Sequence, residues 1–163
     1  MPVEQNGIGP VPIEELDSNI HSLCTRINAA TYELLVLVRE FDERGGFLKW
    51  GLHNCAEWLA WRCDVSITTA LEKVRVARAL NTLPRVSAAF ASGELSYSKV
   101  RALTRVATPE NEGELVETAR HTTAAQMERL VRGWRRVDRQ EELEAEGERP
   151  GRRYLHLYPD EDG

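Results

Sequence analysis

The stretch from Cys55 to Leu80, CAEWLAWRCDVSITTALEKVRVARAL, most narrows what this chain can fold into. Ala56, Leu59 and Ala60 give one small apolar face at helical spacing. Asn54 stands where it can cap that helix, and Glu57, three residues on, can be the return partner of a capping box. Cys63, Asp64 and Val65 then break the pattern. Ser66 can cap a second helix, whose apolar positions are Ala70, Val74, Ala77 and Leu80. The stretch therefore predicts two helices meeting at a corner.

The string Leu59-Ala60-x-x-x-Asp64-Val65-Ser66-x-x-Thr69-Ala70 resembles the core of a bacterial helix-turn-helix. Ala60 is small enough for the second helix to cross close to the first. Val65 plugs the space under the turn, and Ala70 packs back on the first helix. Asp64 replaces the glycine usual at the turn, and Asp tolerates a left-handed backbone better than most residues. Compact helical bundles also contain such corners, so DNA reading and plain architecture both stay open here.

The chain has 163 residues, enough for one domain with a real core, or one and a half. No run of eighteen apolar residues would span a membrane. The start, MPVEQNGIGPVP, lacks a basic-then-apolar signal and reads as a flexible tail over residues 1–12. Three cysteines are not a disulfide framework, which fits reduced thiols in a cytoplasm. The net charge of −5 is unevenly placed: from Asp64 to Arg139 there are 13 basic and 9 acidic residues. A mildly basic middle lies between acidic ends, and a basic surface is the least that phosphate binding requires.

Pro12 can open a first helix from near Ile13 to Arg44, with Leu16, Ile20, Leu23, Ile27, Leu34, Val38 and Phe41 at helical spacing; Leu35 and Leu37 widen the stripe. Such a helix can pack on several shorter ones or pair with a second copy. Trp50, Trp58 and Trp61 are expected to form an aromatic centre. Pro84 opens a helix carrying Val86, Ala89 and Phe90, and Ser96 caps one running through Val100, Leu103 and Val106. Thr108-Pro109-Glu110 reads as a helix start, and Thr122 or Thr123 as the cap of a last helix with Met127, Leu130, Val131 and Trp134 inside. The expectation is an all-α multi-helix bundle over residues 13–149, with a long N-terminal helix and the helix-turn-helix embedded at about 55–80. Residues 150–163 alternate in Tyr154-Leu155-His156-Leu157-Tyr158 and read as an orphan β-strand, the start of a β segment cut off before its partner.

The run from Glu57 to Val137, with EKVRVARAL, GELSYSKVRALTRVATPENE and AAQMERLVRGWRR, resembles an actinobacterial family of unknown function, numbered 222, also called 13E12 repeat proteins. The resemblance implies a helical N-terminal region, commonly followed in longer members by an HNH endonuclease domain of mobile-element type. His21, His53, His121 and His156 are scattered and lack the context of that nuclease's metal site, so no catalytic residue carries over and the chain is expected not to be an enzyme. The order of helix-turn-helix, LP and GELSYSKVRAL is also similar, more distantly, to the DNA-binding part of ParB-like partition proteins.

These readings lead to a DNA-binding module with duplex DNA as partner. Thr68, Thr69, Glu72 and Arg75 would face the groove, with Lys73 and Arg78 near phosphates. Arg85, Lys99, Arg101 and Arg105 would extend the phosphate track, and Arg132, Arg135 and Arg136 form a second basic patch. Glu72 and Ile67 fit a groove poorly. The alternative is a protein-interaction or homodimer module built on the long first and last helices, with the corner only architectural. No cofactor, metal, membrane or small-molecule substrate is expected. His53, Cys55 and Cys63 supply too few donors for zinc.

Overall fold

A computed structural model describes residues 10–147, which hold seven α-helices and no strand. The orphan strand expected at residues 153–158 lies outside the described residues. The helices are α1 (Ile13–Glu43), α2 (Cys55–Cys63), α3 (Ile67–Ala79), α4 (Pro84–Ala91), α5 (Tyr97–Leu103), α6 (Glu112–Arg120) and α7 (Ala124–Gly147). Short 3₁₀ turns at Gly46–Trp50 and Leu80–Thr82 join α1 to α2 and α3 to α4. One core holds the body together, with Leu35, Leu59, Val76, Phe90, Leu103 and Met127 among its most buried side chains.

α1 carries two faces. Its inner face lies on α3 and α4, where Leu35 and Val38 are buried and Tyr32 meets Phe90 edge-on at 5.9 Å. Close approach is possible because of Gly93, in the turn between α4 and α5. It has φ +79°, and a Cβ there would lie 2.2 Å from the Thr25 carbonyl oxygen. Asn28 Nδ2 donates to the Gly93 carbonyl at 3.2 Å and locks the two together.

α4 has no side-chain cap of its own. Glu112, at the start of α6 and only 2 % exposed, accepts from the backbone N–H groups of both Arg85 and Val86, at 2.9 and 3.1 Å. A carboxylate on α6 thus caps α4, placing negative charge at the positive end of the helix.

Several expectations are corrected. Thr108 and Asn111 bond reciprocally and close a turn, so α6 starts at Glu112 and not at Thr108-Pro109-Glu110. α5 ends at Leu103, leaving Val106 beyond it. Trp58 does pack on Phe41, with centroids 4.0 Å apart, but Trp50 and Trp61 pair at the surface, Trp61 being 60 % exposed. Leu130 and Trp134 are exposed on α7 while Met127 and Val131 are buried: Leu130 lies at the edge of the buried face, about 100° around the helix from Val131, and Trp134 lies past the end of the body. Thr123 is the cap of α7, in a reciprocal pair with Gln126.

Gly93→Ala is expected to cost about 2–4 kcal/mol, from the left-handed backbone and the clash with Thr25. Glu112→Ala should cost about 1–3 kcal/mol by leaving two N–H groups, one buried and one partly buried, without their acceptor. Denaturant midpoints of the two variants against the parent check both.

Candidate nucleic-acid interface

The corner between α2 and α3 forms as its residues require. Asn54 Oδ1 accepts from the Glu57 N–H at 2.9 Å, and Glu57 returns to the N–H of His53 at 3.1 Å, one residue before the cap. Asp64 sits at φ 51°, ψ 51°, so the left-handed turn is made without glycine. The Val65 N–H reaches back to the Ala60 carbonyl at 3.2 Å. Ser66 Oγ caps α3 by accepting from the Thr69 N–H at 3.1 Å, and Ala70 is fully buried against α2. The exposed first turn of α3 presents Ile67, Thr68 and Thr69. Thr69 Oγ1 is engaged by the Ser66 hydroxyl, and Thr68 makes no side-chain hydrogen bond among the described residues.

Further along α3 the polar side chains turn inward. Glu72 accepts from Arg75 on its own helix, at 3.2 and 3.3 Å, and from Arg105 beyond α5, at 2.8 Å. Arg75 also donates to the Arg101 carbonyl at 2.9 Å and to Thr104 Oγ1, so it satisfies the carboxyl end of α5. Burial pushes the Glu72 carboxyl up, but the hydrogen bonds from Arg75 and Arg105 outweigh it and hold the group below the usual carboxylate range. Lys73 lies over the Tyr97 ring, 4.4 Å from its centroid, where burial lowers its pKa.

The remaining candidates have partners of their own. Arg78 makes a two-pronged pair with Asp42 of α1, at 2.7 and 3.1 Å, which raises its pKa. Arg101 pairs with Glu128 of α7 at 2.8 Å. Lys99 Nζ donates to the Ala119 carbonyl at 2.6 Å, at the carboxyl end of α6. The Arg85 side chain lies beside Gly113, and Arg120 is held by Glu94 and Glu117. The ten residues expected to face DNA are thus not one free surface. Apart from Thr68, Thr69 and Arg85, their charged heads are taken up in joining α1, α3, α5, α6 and α7.

α7 differs. Arg129, Arg132, Arg135, Arg136 and Arg139 are all exposed, and among the described residues no carboxylate lies within ion-pair distance of any of them. At 100° per residue they fall within an arc of about 120°, opposite the apolar face that carries Met127 and Val131. Sequence reasoning found Arg132, Arg135 and Arg136 but missed that Arg129 and Arg139 extend the same face. Helical periodicity applied to the arginines alone would have shown it.

Cys55 is buried, its thiol pushed up to about 11 by burial and by Asp42, and it faces the Val38 carbonyl. No group of three metal-binding side chains occurs among the described residues, nor a helix long and apolar enough to cross a membrane.

Because the folded-state pKa of Glu72 is depressed, its contribution to stability is complete above about pH 4.3, the ordinary glutamate value, and is lost as pH falls through the folded value. Glu72→Gln should therefore cost about 1–2 kcal/mol at pH 7 and progressively less in acid, read from urea unfolding at several pH values.

No curated protein and no solved structure matches the chain. A family model described as Domain of unknown function (DUF222) matches residues 18–163, and the chain belongs to that family.

Proposed function

We propose that this chain is a duplex-DNA-binding module that acts by binding, without catalysis of its own, in the cytoplasm. The observation that carries the reading is the five-arginine face of α7. Guanidinium groups free of carboxylates, aligned on one side of a helix about 16 Å long from Arg129 to Arg139, match a row of phosphates. The acidic second half, with Glu141, Glu142, Glu144 and Glu146, would repel phosphate and limits the footprint to the first half of the exposed helix. This moves the phosphate contact from α3 and α5 to α7. The first turn of α3, with Thr68 free, is left as a secondary groove contact. In longer proteins of the kind this sequence resembles, such a module would hold a following HNH nuclease domain on its substrate.

The test is binding of the purified chain to labelled duplex DNA across a salt series. Arg132→Ala/Arg135→Ala/Arg136→Ala should lower the slope of log affinity against log salt by about 2.7, for three lost phosphate contacts. Arg75→Ala/Arg78→Ala should lower the melting temperature and leave that slope unchanged. Absence of binding at low salt by folded protein, or an unchanged slope in the triple variant, would overturn the reading.

A further inference from the structure

The outer face of α1 carries an unpartnered apolar stripe. Ile13, Leu16, Ile20, Leu23, Ile27, Leu34 and Leu37 are all exposed, Ile20 by 63 % and Leu37 by 65 %. Their spacing alternates three and four residues, with Ala30 in sequence and Phe41 at the end: a heptad pattern sustained across the helix. Asn28, Leu35 and Asp42, which face the body, lie about 80–120° around the helix from the centre of that stripe, and buried Val38 marks its edge. Every residue from Ile13 to Cys24 is exposed, so about 18 Å of helix overhangs the rest of the protein. Three turns of helix with a bare apolar side are not stable in water on their own propensity. At the other end, the stripe runs into an apolar groove of about 700 Å³ lined by Leu34, Leu37, Phe41, Trp50, Trp58 and Cys63.

We propose that a second copy of this chain covers the stripe, with the two α1 helices antiparallel about a two-fold axis. The overhang of each copy then lies along the groove end of the other. In the register that sets Ile20 against Leu37 of the second copy, Leu23 meets Leu34, Leu16 meets Phe41 and Ile27 meets Ala30. The small Ala30 always faces a branched side chain, and the axis repeats every layer. Charge agrees with this arrangement. Arg26 and Glu33 flank the stripe, are exposed, and have no ion-pair partner among the described residues. The antiparallel register brings Arg26 of each copy beside Glu33 of the other, twice. A parallel in-register pair would instead set Arg26 beside Thr31, stack Ala30 on Ala30 and leave the grooves unfilled by the overhangs.

The experiment uses the whole chain. Sedimentation equilibrium at micromolar concentration should give twice the 18.5 kDa chain mass, and Ile20→Lys/Leu23→Lys should give that mass once. Both substitutions lie in the overhang, so the circular dichroism of the body should persist. Orientation is read by oxidation in a Cys24→Ser/Cys63→Ser background. Ile20→Cys/Leu37→Cys should cross-link into a covalent dimer, and Ile20→Cys alone should not. A monomeric parent overturns the proposal, whether the stripe is bare or covered by residues 148–163 of the same chain. So does a dimer that survives the lysine pair, and so does efficient cross-linking of the single cysteine, which would mean a parallel pair.

Discussion

The body of this protein depends on how the ends of its short helices are satisfied. α2, α4, α5 and α6 are only seven to nine residues long. Each helix leaves about four N–H and four C=O groups without an intrahelical partner, so in helices this short nearly the whole backbone is an end. The local caps Asn54, Ser66 and Ser96 serve some of these groups. Others are served from a distance: Glu112 at the start of α4, Arg75 at the end of α5 and Lys99 at the end of α6. Charged side chains here are framework. That is why a motif resembling a DNA reader holds arginines whose donors already point at carbonyls and carboxylates of the same chain.

What could be read in the sequence follows the same division. Caps act within three residues, so Asn54, Ser66 and Ser96 were legible, as was the left-handed turn at Asp64. The core faces of α3 and α4 were legible from their periodicity, and family membership from whole phrases of sequence. Long-range ion pairs were not. Nothing local marks Glu72 as the partner of Arg105, or Arg78 as the partner of Asp42, because those pairings exist only after α1 and α5 have docked on α3. Arg101 and Arg105 share a helical spacing, which suggested a common outward face, yet α5 ends between them and each finds a different carboxylate. Thr108-Pro109-Glu110 carried every sign of a helix start, but the reciprocal Thr108–Asn111 bonds stabilise a turn instead. Trp50 and Trp61 lie at the surface because a large aromatic side chain in the sequence does not show whether the fold covers it.

The two long helices behave differently from the short ones. α1 and α7 each begin or end well outside the body, and each shows its surplus there: apolar side chains along α1, guanidinium groups along α7. Neither surplus is needed to hold the body together, since the buried cluster is complete without them. The chain thus separates a compact, internally cross-braced centre from two projecting arms of different character, one apolar along one face, the other charged.

The contact between Asn28 and Gly93 has a consequence for the order of events during synthesis. The two residues are 65 positions apart. As the chain is made from its amino end, α1 is complete long before the turn that receives its inner face exists. Through that interval the amino-terminal half of α1, with Thr25 and Asn28, lacks the turn it lies against. The carboxyl half of α1 is served sooner, because α3, which also packs on α1, precedes α4 in the chain. A contact of this sequence separation closes a long loop, so docking the amino-terminal half of α1 carries the ordering cost of that loop, a cost that slows folding.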